Sequence, residues 1–264
     1  MSTPAVTPFY LDWTFWTVVV SFVAIVLSQL PPVHLLLRPK RLEVEVHSRI
    51  QITHKIGNPN VCLHVSVGNT GGRELRIRAL RLNLSRDNKP LLSLPAQNYF
   101  ETPSAQSSVL FVPFSLKPGV HWSHIVNFLN FFDRATEKLY RESESSLTSD
   151  IRQKIQAKVV DDKRLVIAER SLVKPFTQLF NKLFIWEPGE YVVELVVEAQ
   201  PGSASYTKKY RFTLYESDTA ELRRHIEDYP SGGGISYNVD RHVGVFVLLS
   251  EHIEHSRTGK PSTN

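Results

Sequence analysis

The stretch VCLHVSVGN, residues 61–69, alternates apolar and polar side chains and decides the fold class of the chain. Successive residues of a β-strand point to opposite faces of its sheet, so one face of this stretch is apolar. That face carries Val61, Leu63, Val65 and Val67. The period of two predicts a strand with one buried face.

The same alternation recurs on both sides of this stretch, between clusters of Gly, Pro and Asn that mark turns. Further strands are predicted at residues 42–47, 49–54, 74–86, 108–116, 164–168, 190–200, 205–217 and 243–249. In residues 74–86 the apolar positions change from odd to even, which predicts a β-bulge near Ala79. Many short strands separated by turns predict a mainly β fold, and specifically a β-sandwich.

A helical period interrupts the strands between residues 122 and 185. Apolar residues three or four apart predict helices at residues 124–140, 147–159 and 175–184, and a short charged helix is predicted at 219–229. The predicted order is an N-terminal tail and anchor (1–40), the first part of the sandwich (41–121), a helical insertion (122–185), the last part of the sandwich (186–255) and a disordered tail (256–264).

A turn and hairpin near the end of the chain carry a resemblance to a known fold family. Pro188, Gly189, Glu190 and Tyr191 lead into a strand with Val193, Leu195 and Val197, and the hairpin is completed by Tyr210, Phe212 and Leu214. This pattern resembles the late strands of immunoglobulin-like and fibronectin-like domains. The resemblance implies an immunoglobulin-like sandwich, although the Cys–Trp–Cys core of antibody domains is absent.

Residues 13–30, WTFWTVVVSFVAIVLSQL, contain no charged side chain. About 20 apolar residues in a helix cross the hydrocarbon layer of a bilayer, so a single transmembrane helix is predicted within residues 13–37. A cleaved signal peptide is disfavoured because residues 1–12 contain no Lys or Arg, and a buried core helix because no face is polar. The predicted anchor residues are Trp13, Phe15, Trp16, Phe22, Ile25, Leu27 and Leu30.

The charges that flank this segment predict its orientation. Arg38, Lys40 and Arg41 follow it, whereas only Asp12 precedes it. Basic residues stay in the cytoplasm, so the N-terminus is expected outside and the C-terminal domain in the cytoplasm. Cys62 is the single cysteine, which excludes an internal disulfide and favours a reducing compartment. The net charge of +5 fits an anionic membrane surface.

The sequence shows no set of residues that would carry catalysis, so we predict neither an enzyme nor a cofactor. Two histidine pairs, His121 with His124 and His252 with His255, each supply only two of the ligands that a zinc site needs. No metal site is therefore predicted. An envelope hydrolase whose site assembles only in space stays an alternative.

Two groups of residues are predicted to bind a partner. They are the arginines of one strand, Arg76, Arg78 and Arg81, and an aromatic helix face, Phe128, Phe131 and Phe132. Aromatic residues do not alternate with these arginines, which argues against nucleic acid. We therefore expect a membrane-anchored accessory protein that presents its β domain to another protein. A module that binds a lipid or small apolar ligand between sandwich and helices is the alternative.

Overall fold

The computed structural model describes residues 12–29, 39–102, 104–105, 107–158, 164–235 and 244–252. These residues form a mainly β fold, as predicted. The strands are β1 (Leu42–Val46), β2 (Arg49–Lys55), β3 (Asn58–Asn69), β4 (Leu75–Arg86), β5 (Lys89–Phe100), β6 (Val109–Leu110), β7 (Phe114–Leu116), β8 (His121–Leu129), β9 (Gly189–Gln200), β10 (Tyr206–Leu214), β11 (Val245–Leu248) and β12 (Ser250–Glu251). The helices are α1 (Trp13–Gln29), α2 (Arg134–Gln156), α3 (Arg170–Leu183) and α4 (Glu216–Arg223), with 3₁₀ helices at Gly202–Ala204 and Arg224–Ser231.

The twelve strands belong to one antiparallel sheet that is nearly closed. Its order is β11-β2-β3-β8-β5-β4-β9-β10-β12, and β1, β6 and β7 pair at the sides of β3, β5 and β4. β11 and β12 lie at opposite ends of this order, yet only Leu249 separates them along the chain. The two ends of the sheet are therefore held next to each other.

Two strands change their pairing where the sheet bends. β5 pairs with β4 up to Pro95 and with β8 from Ala96 onward. The register of β4 against β9 shifts between Ile77 and Ala79, which confirms the predicted bulge. Because of this shift, Ile77 and Leu80 both point into the core.

The main core lies inside the curved sheet. Trp186 is fully buried in it, and its indole Nε1 donates a hydrogen bond to the Thr53 carbonyl over 3.0 Å. The Tyr191 ring stacks on Phe212 with ring centroids 5.0 Å apart, and its hydroxyl donates to the Glu187 carbonyl over 2.8 Å. The polar groups of these two aromatic residues thus both have partners, which large aromatic residues need inside a core.

A second, smaller core packs α2 and α3 against the sheet. Tyr140, Phe176 and Phe180 are buried in it together with Tyr229 of the 3₁₀ helix. The Tyr140 hydroxyl donates to the Ile235 carbonyl over 3.1 Å. The helical region is therefore fixed to the β domain by apolar contacts.

The predicted helix at residues 124–140 is wrong in its first part. Residues 121–129 form β8, which pairs with β3 and β5, and the helix begins only at Arg134. Asp133 sets this start, because its carboxylate accepts hydrogen bonds from the backbone N–H groups of Ala135 and Thr136, both over 2.9 Å.

Other segments differ from the prediction at their bounds. Residues 108–116 form two short strands, β6 and β7, and the described residues 164–168 form no strand. The segment instead bonds to its surroundings through the Ala168 N–H, which donates to the Pro230 carbonyl over 2.7 Å, and through the carbonyls of Arg164 and Ile167, which accept from the amines of Lys158 and Lys154. Position 159 of the predicted second helix and the predicted tail at 256–264 lie outside the described residues.

Helix α1 begins at Trp13, as expected, and is described up to Gln29. It has 17 residues, which at 1.5 Å per residue gives about 26 Å, less than the roughly 30 Å of a hydrocarbon layer. Among the described residues, no helix combines the length and the apolarity that crossing a membrane requires. The predicted transmembrane helix is therefore not supported, and Leu30 lies outside the described residues.

Candidate functional site

The apolar side chains of α1 are exposed instead of packed in a core. The exposed fraction is 83% for Trp13, 67% for Phe22 and 61% for Ile25. The other described residues of the predicted anchor, Phe15, Trp16 and Leu27, are exposed as well. An uncovered apolar surface of this extent marks an interaction site for a membrane or a protein.

The hydroxyl groups of α1 all bond within the helix or to Asp12, which directly precedes it. Thr17 and Ser21 donate to the carbonyls of Thr14 and Thr17, each over 2.8 Å, and Ser28 donates to the Ile25 carbonyl over 2.7 Å. The Thr14 hydroxyl donates to the Asp12 carboxylate, and this bond together with the one from the Thr14 N–H lowers the pKa of Asp12. The helix therefore leaves no hydroxyl that needs water.

Asn69 joins two loops, residues 69–73 and 116–120, at the end of the β domain where the chain arrives from α1. Its amide nitrogen donates to the carbonyls of Arg73 and Leu116, both over 2.8 Å, and its amide oxygen accepts from the Gly71 N–H over 3.0 Å. Its own backbone N–H and carbonyl bond to Val120 and Gly119. The side chain is fully buried and fixes these two loops relative to each other. Residues 39–41 join them through the hydrogen bond from the Thr70 N–H to the Arg41 carbonyl.

These loops carry four exposed cations, Lys40, Arg41, Arg73 and Lys117, and we call this surface the basic end. None of the four forms an ion pair with a carboxylate of the described residues. Val120, whose N–H donates to the Lys117 carbonyl over 3.0 Å, is 43% exposed. The sequence prediction missed this surface, because its members come from three separate stretches of the chain.

The bulge in β4 places the three predicted arginines on the outer face of the sheet. Arg76 precedes the shifted register, Arg78 lies within it and Arg81 follows it, and all three are exposed. Arg81 forms an ion pair with Glu198 on the neighbouring β9. Arg76 and Arg78 have no ion-pair partner among the described carboxylates, so these two are available to an acidic ligand.

The predicted aromatic face of Phe128, Phe131 and Phe132 does not exist as one surface. Phe128 is fully buried in the main core, because residues 121–129 form a strand. Phe132 is half-buried against Tyr140, with ring centroids 5.5 Å apart. Phe131 alone is well exposed, at 71%.

The histidines predicted as pairs are spread over different partners. His124 contacts Tyr99 and Trp122, each with ring centroids 4.8 Å apart, while His121 covers Gly68. His255 lies outside the described residues. Within the described ranges, no three His, Cys, Asp or Glu side chains come close enough to hold a metal ion.

A pair of histidines and the single cysteine have side chains that could react chemically. His54 and His225 lie with ring centroids 4.4 Å apart, and His54 Nε2 bonds to the Leu222 carbonyl over 2.9 Å. Burial raises the pKa of the Cys62 thiol to about 11, and its Sγ donates to the Asn127 amide oxygen over 2.6 Å. A protonated thiol is a poor nucleophile, so Cys62 is a structural residue.

An open groove of about 810 Å³ lies between α3 and the 3₁₀ helix Arg224–Ser231. Its walls are mostly apolar and include Ala168, Val173, Ile226 and Pro230. Arg170 and Lys174, one helical turn apart on α3, stand at its edge. This volume lies within the range of small-molecule sites.

The described chain thus offers an apolar helix, the basic end, the outer face of β4 and the α3 groove. In none of them do the described residues converge as a nucleophile, a base and an oxyanion-binding group. No protein-family model and no curated protein sequence matches the chain.

Proposed function

We propose that the chain is a membrane-anchored, non-enzymatic accessory protein that presents an immunoglobulin-like β-sandwich to a protein partner. The observation that carries the proposal is α1, an uncharged helix whose apolar side chains are exposed and whose hydroxyls bond internally. In water such a surface is costly, at about 25 cal/mol per Å² of apolar area. In lipid it is favourable.

The anchor includes the apolar sequence that follows α1. Leu30, Val33, Leu35, Leu36 and Leu37 extend the uncharged stretch up to Arg38. A helix shorter than the hydrocarbon layer is accommodated by local thinning, which costs a fraction of a kcal/mol per Å. α1 alone is about 4 Å shorter than the hydrocarbon layer, a difference that such thinning accommodates.

The basic residues Arg38, Lys40 and Arg41 support an orientation with the β domain in the cytoplasm and the N-terminus outside. Lys89 lies exposed at the other end of β4, and Lys89→Cys provides a reporter of sidedness. A membrane-impermeant thiol reagent should leave it unmodified in intact cells and modify it after lysis. Labelling in intact cells would place the domain outside.

The proposed protein partner meets the outer face of β4. Both Arg76 and Arg78 are exposed there; Arg76 pairs with Ser115 of β7, and Arg78 lies at the bulge two residues further on. Two guanidinium groups on a rigid surface suit an acidic segment, since each binds a carboxylate in a bidentate way. Arg81 is less available, because it already forms an ion pair with Glu198.

Membrane fractionation tests the anchor. The full chain should stay in the pellet after washing with high salt and then with alkaline carbonate. Val20→Arg with Ile25→Arg places two charges at the centre of α1, at about 3 kcal/mol each, and should release the chain. The matched control is Leu139→Arg with Ile155→Arg, two exposed apolar residues of α2. Release of the unmodified chain by salt alone would refute the anchor.

The α3 groove supports a second candidate function, the binding of an anionic apolar ligand such as a fatty acid. Its apolar walls suit an acyl chain, and Arg170 and Lys174 suit the head group. Purified chain should carry an acyl compound that solvent extraction and mass spectrometry detect. Val173→Trp should fill the groove and remove that compound, and its absence from the unmodified chain would count against this candidate.

A further inference from the structure

We infer that the basic end of the β domain rests on the surface of an anionic bilayer. The inference builds on the proposed anchor and adds the lipid class and the part of the domain that contacts it. It comes from the position of Lys40, Arg41, Arg73 and Lys117 on three loops around Asn69.

The first step concerns where the chain enters the β domain. Thr70 donates its N–H to the Arg41 carbonyl over 3.1 Å, and Gly71 lies so close that a Cβ there would meet the Pro39 carbonyl oxygen at 2.6 Å. Residues 39–41 are therefore packed onto the β domain. Because this segment follows α1 in the chain, the anchor holds the basic end near the membrane.

The second step concerns charge. The four cations of the basic end face one exposed carboxylate on the same loops, Glu74, while Glu43 lies on the adjoining β1 and His121 begins β8. The positive charge therefore exceeds the negative charge at the tips. A polybasic surface next to a membrane is attracted to anionic lipids, and the attraction falls off within a Debye length of about 8 Å.

The third step concerns rigidity and apolar contact. Asn69 fixes the loops that carry Arg73 and Lys117, and the Thr70 N–H bond fixes Arg41, so the cations bind with little entropy cost for ordering the backbone. Val120 is exposed beside Lys117 and is positioned by the hydrogen bond between its carbonyl and the Asn69 N–H, 3.1 Å long. The surface thus combines cations with an apolar contact, which suits the headgroup region of a bilayer.

A fluorescent probe on the full chain tests the inference. The chain is reconstituted into vesicles of neutral phosphatidylcholine alone or with 30% phosphatidylserine, and an environment-sensitive dye is attached at Val120→Cys. Because Cys62 is partly buried and its pKa is raised, the dye reacts preferentially with the introduced thiol. Lys89→Cys is the matched control, since β4 separates the two ends by about 36 Å.

Dye at Val120→Cys should shift to shorter wavelength in the anionic vesicles only, and 0.5 M salt should reverse the shift. Dye at Lys89→Cys should not respond. Lys40→Gln, Arg41→Gln and Lys117→Gln together should lower the docked-to-undocked ratio by about 100-fold, about fivefold for each cation. The charge-matched control is Lys89→Gln, Lys138→Gln and Arg152→Gln, which should leave the ratio unchanged.

Equal emission from Val120→Cys in the two lipid compositions, or an equal effect of the two triple variants, overturns the inference and leaves the anchor intact. Failure of the anchor shows separately, as full chain that alkaline washing strips from both kinds of vesicle. In that case, salt-sensitive flotation with anionic but not neutral vesicles still supports the basic end as a lipid-binding surface. Flotation with neither overturns it.

Discussion

Replacing Asn69 should unfold the end of the domain that carries the cations. Asn69→Ala removes three side-chain hydrogen bonds, two donated to the carbonyls of Arg73 and Leu116 and one accepted from the Gly71 N–H. Each bond contributes about 1 kcal/mol net. Leu116 and Gly71 are buried, so their freed groups add a further penalty of about 1 kcal/mol. We therefore expect a loss of about 4 kcal/mol, a large part of the 5–15 kcal/mol that stabilises a typical domain.

Urea unfolding of the full chain in mild detergent, followed by tryptophan fluorescence and far-ultraviolet circular dichroism, measures this loss. Asn69→Asp keeps the size of the side chain and removes both N–H donors, so it should be destabilising as well. The control is Asn130→Ala, which removes one exposed bond to the Ser93 carbonyl and should cost less than about 1 kcal/mol. Equal midpoints for Asn69→Ala and Asn130→Ala would refute the role of Asn69 in holding the two loops together.

Three further outcomes are expected. Since the pKa of Cys62 is raised to about 11, iodoacetamide should modify this thiol slowly at pH 8 and faster as the pH rises toward that value. The reaction should be quick once urea unfolds the chain. Fast reaction of the folded chain at pH 8 would show that the thiol is accessible. Trp186→Phe should lower the free energy of unfolding by about 1–2 kcal/mol, because it removes the indole hydrogen bond and some volume, and Trp186→Ala should lower it by about 4 kcal/mol. Similar unfolding midpoints for the two variants would contradict the place of Trp186 in the core. Gly57→Ala should lower the free energy of unfolding by about 2–4 kcal/mol, because φ is +80° and the new Cβ would meet the Phe180 carbonyl oxygen at 2.6 Å. The control Gly202→Ala, with open space around it, should be nearly neutral in the same titration.

The strands were predictable where one face is buried, because apolar and polar residues then alternate along the sequence. This holds for β3 and for the hairpin of β9 and β10. The slip in apolar positions near Ala79 also predicted the bulge correctly. Local patterning carries this information, so the mainly β class followed from the sequence.

Local patterning predicted the wrong structure for residues 121–129. Ile125, Phe128 and Leu129 are spaced as on a helix, yet the segment pairs on both sides with strands distant in sequence. Such pairing overrides local propensity, since each strand gains hydrogen bonds on two edges. The basic end was missed for a related reason, because residues 39–41, 69–73 and 117–120 are separate in sequence and meet only in the fold, through the bonds of Asn69 and Thr70.

The single residue between β11 and β12 has a consequence for biosynthesis. These strands complete opposite ends of the sheet, β11 on β2 and β12 on β10, and they are the last strands of the described chain to leave the ribosome. Every earlier strand can pair while synthesis continues, but the two ends remain open templates until residues 245–251 have been made. Unpaired strand edges invite pairing with other chains. A nascent chain of this protein is therefore most vulnerable to aggregation just before its final strands emerge, which makes that interval the one in which chaperone protection counts most.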